Sequence, residues 1–149
     1  MNLDSYLMTL AAEAAKQSGD KDRKVGCVIT DKDGRLLVSG YNELPTGCTP
    51  LEERRCRPHK YLWTEHAERR ALNAAARFGV AVDGGTAFVT YFPCAECARS
   101  MVDSGITAVR APRPDILHLT WGKSWQDALA IFRDAKVDLG FVEVPDVSE

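Results

Sequence analysis

The chain has 149 residues, with 19 Lys and Arg against 21 Asp and Glu, and 45% of its residues are hydrophobic. Those proportions suit one compact domain and exclude collagen-like, coiled-coil and disordered classes, while a net charge of −2 argues against a general polyanion binder. No apolar run approaches a membrane span, the start MNLDSYLMTL has no secretion-signal pattern, and five cysteines would strand one thiol in a disulfide framework, so a reduced cytoplasmic protein with no membrane partner is expected.

In chain order, Asp4 or Ser5 can cap a helix running to about Ser18, with Leu7, Leu10, Ala11 and Ala14 on one face. The charged stretch from Gly19 to Lys24 ends it. Val25–Thr30 and Leu36–Tyr41 are β-rich runs joined by Asp33-Gly34, a strong hairpin signal. Residues 42–62 carry four turn-forming Pro and Gly residues and no sustained period, which predicts a long loop, and a loop of that length usually has a function. Thr64–Phe78 predicts a helix capped by Thr64 and closed by Gly79. A strand at Thr86–Tyr91 follows, then a helix at Cys94–Ser104, a strand at Ile106–Arg110, an amphipathic helix at Ser124–Ala135 and a last strand at Val137–Val144. Helices alternating with the later strands point to an α/β fold, a mixed sheet covered by helices in one domain over residues 1–149.

Two short strings carry chemistry: His66-Ala67-Glu68, and Pro93-Cys94-Ala95-Glu96-Cys97. Each alone is weak. A lone Cys-x-x-Cys can be a redox pair or half a structural zinc site, and a lone His on a helix is usually a satisfied polar residue. Together they fit the pattern of one His, a non-ligand Glu and a Pro-Cys-x-x-Cys pair that holds zinc in deaminases. Cys94 and Cys97 are three apart, so on a helix they face the same way, in a first turn whose dipole favours thiolates. One imidazole and two thiolates leave a tetrahedral zinc an open fourth position for water. Two thiolates also neutralise the ion, so a nearby base is needed, and Glu68 is the candidate. On a regular helix His66 and Glu68 point roughly 200° apart, which predicts that both sit at a helix N-terminus where the chain is still turning in.

These residues resemble the cytidine/deoxycytidylate deaminase superfamily, and its deoxycytidylate (dCMP) branch in particular. The similarity extends to Arg23-Lys24-Val25-Gly26, to Gly40-Tyr41-Asn42-Glu43-Leu44-Pro45-Thr46-Gly47, to Lys60-Tyr61-Leu62-Trp63 and to Ser104-Gly105-Ile106. The resemblance implies a three-layer α/β/α fold with a five-stranded mixed sheet, one catalytic Zn2+ on His66, Cys94 and Cys97, and Glu68 as the proton shuttle. It implies substrate contacts from Asn42 to the sugar and from the Ala67 N–H to the pyrimidine carbonyl; Phe92 and Arg70 are further candidates for contact with the substrate. The implied reaction is hydrolysis of dCMP to dUMP and ammonia by a homo-oligomer. A free base, a nucleoside or another amino-heterocycle is the alternative substrate. A nucleic-acid partner is disfavoured by the near-neutral charge and sparse aromatics. Two positions depart from the family's pattern: Glu43 stands where a Gly follows Tyr-Asn, and Arg70 where an Asn is usual. An added carboxylate and an added guanidinium there are expected to reshape what binds.

The remaining signals divide between chemistry and packing. Four cations in Glu52–Lys60 suit either a phosphate-gripping loop or a solvated loop balancing its own acids. Cys48, Cys56 and His59 lack an evident fourth ligand for a second, structural zinc ion, because Cys27 lies in an apolar strand. Arg69 reads as a solvated face residue, Trp121 and Trp125 as packing residues rather than base-stacking platforms, and His118 as structural.

Overall fold

A computed structural model describes residues 2–147. Asn2 caps helix α1 (Leu3–Ala15), its Oδ1 accepting from the Ser5 amide at 2.8 Å. The cap therefore lies ahead of Asp4 and Ser5, and Asp4 falls instead in the first turn, where the helix dipole favours an acid. Strands β1 (Gly26–Thr30) and β2 (Leu36–Tyr41) form an antiparallel pair closed by a turn in which Gly34 takes a positive φ of 89°. The segment expected to be a plain loop contains a 3-10 turn (Glu52–Arg55) and one helical turn, α2 (Lys60–Trp63). Helix α3 (Ala67–Phe78) follows, then β3 (Thr86–Val89), α4 (Ala95–Asp103), β4 (Ala108–Ala111), α5 (Gly122–Asp134) and β5 (Asp138–Phe141). Among the described residues, no helix is long and apolar enough to cross a membrane.

The five strands lie in the order β2-β1-β3-β4-β5. β1 is antiparallel to both neighbours, whereas β3, β4 and β5 are mutually parallel, with α4 and α5 as the crossovers that parallel pairing requires. Side chains alternate across the pleat, so each strand feeds two cores. Val28 and Phe88 pack under Leu7, Met8 and Ala11 of α1. Cys27, Ile29, Ala87 and Val89 face the other way, into the larger core shared with α3, α4 and α5. Helices therefore cover both faces of a mixed sheet, the expected three-layer architecture.

This topology gathers chain ends at one place. The ends of β2 and β3 meet the start of β1, and α3 and α4 both begin there. An open α/β sheet presents ligand sites outside the carboxyl ends of its strands. Close approach of α3 depends on Gly40: a Cβ there would lie 2.6 Å from the Ala67 carbonyl oxygen and 2.7 Å from the Ala71 nitrogen. At the far end Gly79 closes α3 in the left-handed conformation at φ 70°, which costs glycine little.

Gly40→Ala is thus expected to push the first turn of α3 off β2 and to cost ~1–3 kcal/mol, the usual range for an overpacked contact. An unchanged urea midpoint would contradict this contact as a constraint on the helix.

Candidate active site

The first turn of α3 is set by what precedes it. Thr64 ends α2, and the next residues stay extended because Glu65 exchanges backbone hydrogen bonds with Glu43, at 2.9 and 3.2 Å. The helix N-cap is therefore His66 rather than Thr64, with ψ 151°, and α3 starts at Ala67. This extended entry answers the angular problem, since His66 turns inward before the helix begins while Glu68 reaches the same place from its first turn. Glu65 fixes the entry further: its Oε1 accepts from the His66 amide at 3.0 Å and is gripped by Arg69 at 2.7 Å. Arg69 also reaches Glu96 on α4 at 2.9 Å. It straps the two helices together and is not the solvated face residue expected.

Helix α4 delivers the sulfurs. Cys94 is its N-cap and Cys97 lies in its first turn, while the Ala95 amide donates to Ser124 Oγ of α5 at 2.9 Å. Cys94 Sγ lies 3.5 Å and Cys97 Sγ 3.4 Å from the same atom, Nδ1 of His66. All three ligand atoms fall within 4.8 Å of one another. Tetrahedral zinc with N at ~2.0–2.1 Å and S at ~2.3 Å would set N–S edges of ~3.6 Å and an S–S edge of ~3.8 Å. The donor set and its spacing therefore fit that ion, with one position left open.

The electrostatics agree with that fit. A hydrogen bond from Cys97, working against burial and helped by His66, pulls the Cys94 thiol down to about 4. Cys97 is pushed up by the neighbouring Cys94 and by burial. The two sulfurs thus oppose one another's ionisation, and a divalent cation would draw both into the thiolate form. Glu68 is 5% exposed. Burial chiefly pushes its carboxyl up to about 7, partly offset by His66.

A cavity of about 130 Å³ opens beside these groups, lined by His66, Ala67, Glu68 and Cys94. Phe92, Trp121 and Trp125 also line it, as do Asp20, Arg23, Asn42, Lys60, Tyr61 and Tyr91. Trp121 meets the His66 ring edge-on at 6.5 Å, and Trp125 Nε1 donates to the Phe92 carbonyl at 2.9 Å. Both tryptophans pack as expected, but they do so as cavity wall. His118 Nδ1 accepts from the Thr120 and Trp121 amides at 3.1 Å, a structural role. Asn42 lines the cavity with its amide already engaged: Oδ1 accepts from the Val25 amide and Nδ2 donates to the Arg23 carbonyl, each at 2.8 Å.

Arg70 does not join this group. Two residues beyond Glu68, it points to the opposite side of α3, donates to the Tyr41 carbonyl at 3.1 Å and lines a separate hollow with Tyr41 and Arg77. Glu43 is likewise outside the cavity lining. Its carboxylate accepts from Arg55 at 3.0 Å, from the Leu44 amide at 2.9 Å and from the Gly19 amide at 3.1 Å. The two departures from the family's pattern thus brace loops and a helix flank. The cations of residues 52–60 are also occupied: Arg57 with Asp22 at 3.1 Å, Lys60 with Asp20 and Asp22 at 3.1 Å, and Arg54 stacked on Trp63 at 3.8 Å. Asp20 carries no motif of its own, and Arg23 and Tyr61 lie within segments that resemble the family without a role assigned to either, so sequence reasoning missed all three as cavity residues.

Comparison with known proteins agrees with this geometry. Residues 1–111 match the family model described as the cytidine and deoxycytidylate deaminase zinc-binding region. An uncharacterized deaminase from the luxG 3' region of Aliivibrio fischeri is 35% identical over 123 residues, 82% of this chain and 81% of its own length. Human deoxycytidylate deaminase is 33% identical over 110 residues, 70% of this chain, and the match spans 61% of the human protein. The cyanophage S-TIM5 dCMP deaminase, solved with dCMP and dUMP, superposes with a TM-score of 0.74 at 24% identity, covering 95% of this chain and 99% of that one; this similarity bears on the fold.

The rim itself is testable through Asp20. Burial alone would raise its carboxyl, but the amides of Arg23 and Asp22 and the Lys60 ammonium outweigh it and hold the group below its ordinary value. A carboxyl so depressed contributes stability above its unfolded value, and that contribution disappears as pH falls through the lower folded value. Asp20→Asn is expected to cost ~1–3 kcal/mol near neutral pH, with the deficit closing in acid well below ~4. Urea titrations giving an equal deficit at both pH values would contradict this.

Proposed function

The chain belongs to the cytidine and deoxycytidylate deaminase family, and on that premise we propose that it hydrolyses dCMP to dUMP with release of ammonia. One observation carries the reading: three ligand atoms from two helix N-termini converge beside a buried carboxylate. The enzyme is a zinc-dependent hydrolase, and His66 Nδ1 with the sulfurs of Cys94 and Cys97 would hold the ion. Bound there, zinc supplies Lewis acidity that makes water nucleophilic near neutral pH. The 33% identity to human deoxycytidylate deaminase supports dCMP as the substrate.

The chain's own residues would then divide the work. Glu68, with a carboxyl near 7, takes the proton of the attacking water and returns protons to ring N3 and to the departing amine, so that one water is consumed and one ammonia leaves. Its burial suits this two-way traffic, because neither protonation state is strongly preferred at neutral pH. The Ala67 N–H, at the first residue of α3 and without an intrahelical acceptor, is placed to donate to the pyrimidine carbonyl. Phe92 closes one wall against the ring. Asn42 acts by holding the rim, since its amide is bonded to Arg23 and Val25. A cytoplasmic homo-oligomer completes the proposal. The exposed Leu62, Leu117 and Leu119 support self-association, which a monomeric mass on size-exclusion chromatography would refute.

Ammonia release from dCMP, deoxycytidine and cytosine by the zinc-loaded chain tests the reading, with dCMP expected to be preferred. Glu68→Gln is expected to lower kcat ~10²–10⁴-fold while zinc content stays at the parent level. Retained turnover in that variant, or no turnover of dCMP by the parent protein, would refute the assignment.

A further inference from the structure

We infer that Arg69 is a positioning residue for the metal: by joining Glu65 to Glu96 it holds the two halves of the cage at ligand spacing before an ion arrives, and so sets how tightly zinc is kept. This rests on the metal-site reading above and deepens it. The cage is built from two separate elements. His66 is the N-cap of α3, whereas Cys94 and Cys97 stand at the start of α4. The bond from the Ala95 amide to Ser124 ties α4 to α5 and leaves its distance from α3 free. A polar tie crosses that gap on the outside of the cage.

Every nitrogen of the Arg69 guanidinium is engaged in it. Nε and Nη2 meet Glu65 Oε1 at 2.9 and 2.7 Å, and Nη1 meets Glu96 Oε2 at 2.9 Å. The same Glu65 oxygen accepts from the His66 amide at 3.0 Å. On the other side, Glu96 stands in the chain between the two cysteine ligands. One planar fork thus grips the residue before the imidazole and the residue between the sulfurs, which a single ammonium could not do in the same geometry. The tie contributes little to global stability, because the Glu96 side chain is 60% exposed and ion pairs so open to water are weak. Its effect on the metal is larger. A cage already at ligand spacing loses none of the ion's binding free energy to drawing two helices together, and groups that orient ligands from outside typically alter metal affinity ~10–100-fold. Charge makes the opposite demand. A guanidinium beside the cage repels a cation within it, so on charge alone its removal would tighten binding, and the sign of the change separates the two effects.

The test measures zinc affinity of the full chain by competition with a chromophoric chelator, in the parent, Arg69→Gln and Arg69→Lys. Arg69→Gln is expected to bind zinc about 10- to 100-fold more weakly, while the urea midpoint of the metal-free protein stays near the parent's. A cobalt(II) titration, followed by its thiolate charge-transfer absorption, should shift in the same direction. Arg69→Lys should recover only part of the loss, because a point charge replaces the fork. Affinity equal to the parent's or tighter, for either ion, overturns the inference, as does a fall in the metal-free midpoint large enough to account for the lost affinity. If Arg69→Gln does not fold, Arg69→Lys, which keeps the charge, decides on the same criterion. A parent that binds zinc alongside variants of equal affinity refutes this inference alone. A parent that binds no zinc refutes the metal-site reading as well.

Discussion

Nδ1 of His66 stands 3.4 and 3.5 Å from two sulfurs carried by a different helix, and much of the fold can be understood as what holds that separation. Three polar groups brought this close would be costly without a cation to bind or protons to share, and their closeness lowers the Cys94 thiol while raising that of Cys97. The architecture resolves it by ending β2 and β3 at the same edge of the sheet, so that α3 and α4 start side by side and point their N-termini at one place. Helix dipoles there favour thiolates and a carboxylate. Gly40 lets α3 descend onto β2, and the Glu65–Arg69–Glu96 chain locks the two helices in register.

Around that centre lies a ring of ion pairs whose purpose is placement. Glu43 with Arg55 closes the base of the long loop against residue 19, and Asp20 with Lys60 ties α2 to the segment before β1. These pairs are largely removed from water, so each partner would be costly to leave alone. They also silence most of the cations in residues 52–60, which is why a loop rich in positive charge does not make a diffuse anion trap.

Much of this was legible in the sequence, and the reasons are specific. Strand and helix order followed from periodicity and from Gly and Pro punctuation, and the metal ligands from spacing that zinc chemistry makes rare. The expectation that His66 and Glu68 share a helix start also held, because 100° per residue leaves no mid-helix alternative. The misreadings around the site involve tertiary partners. Thr64 looked like a cap, but a β-bridge between Glu43 and Glu65 keeps the chain extended past it. Arg69 looked solvated because Glu96 is distant in sequence, and Arg70 looked close to the substrate because it is near Glu68 along the chain while lying across the helix from it. Asp20, Arg23 and Tyr61 share no single motif, since a cavity lining is assembled from segments that only the fold brings together.

Zinc K-edge X-ray absorption on the zinc-loaded protein tests the central claim most directly. The account predicts one ion per chain, bound by two sulfurs at ~2.3 Å and one imidazole nitrogen at ~2.0–2.1 Å, with a single further light scatterer from solvent. A spectrum fitted by four sulfurs, or by oxygen and nitrogen with no sulfur, would contradict it.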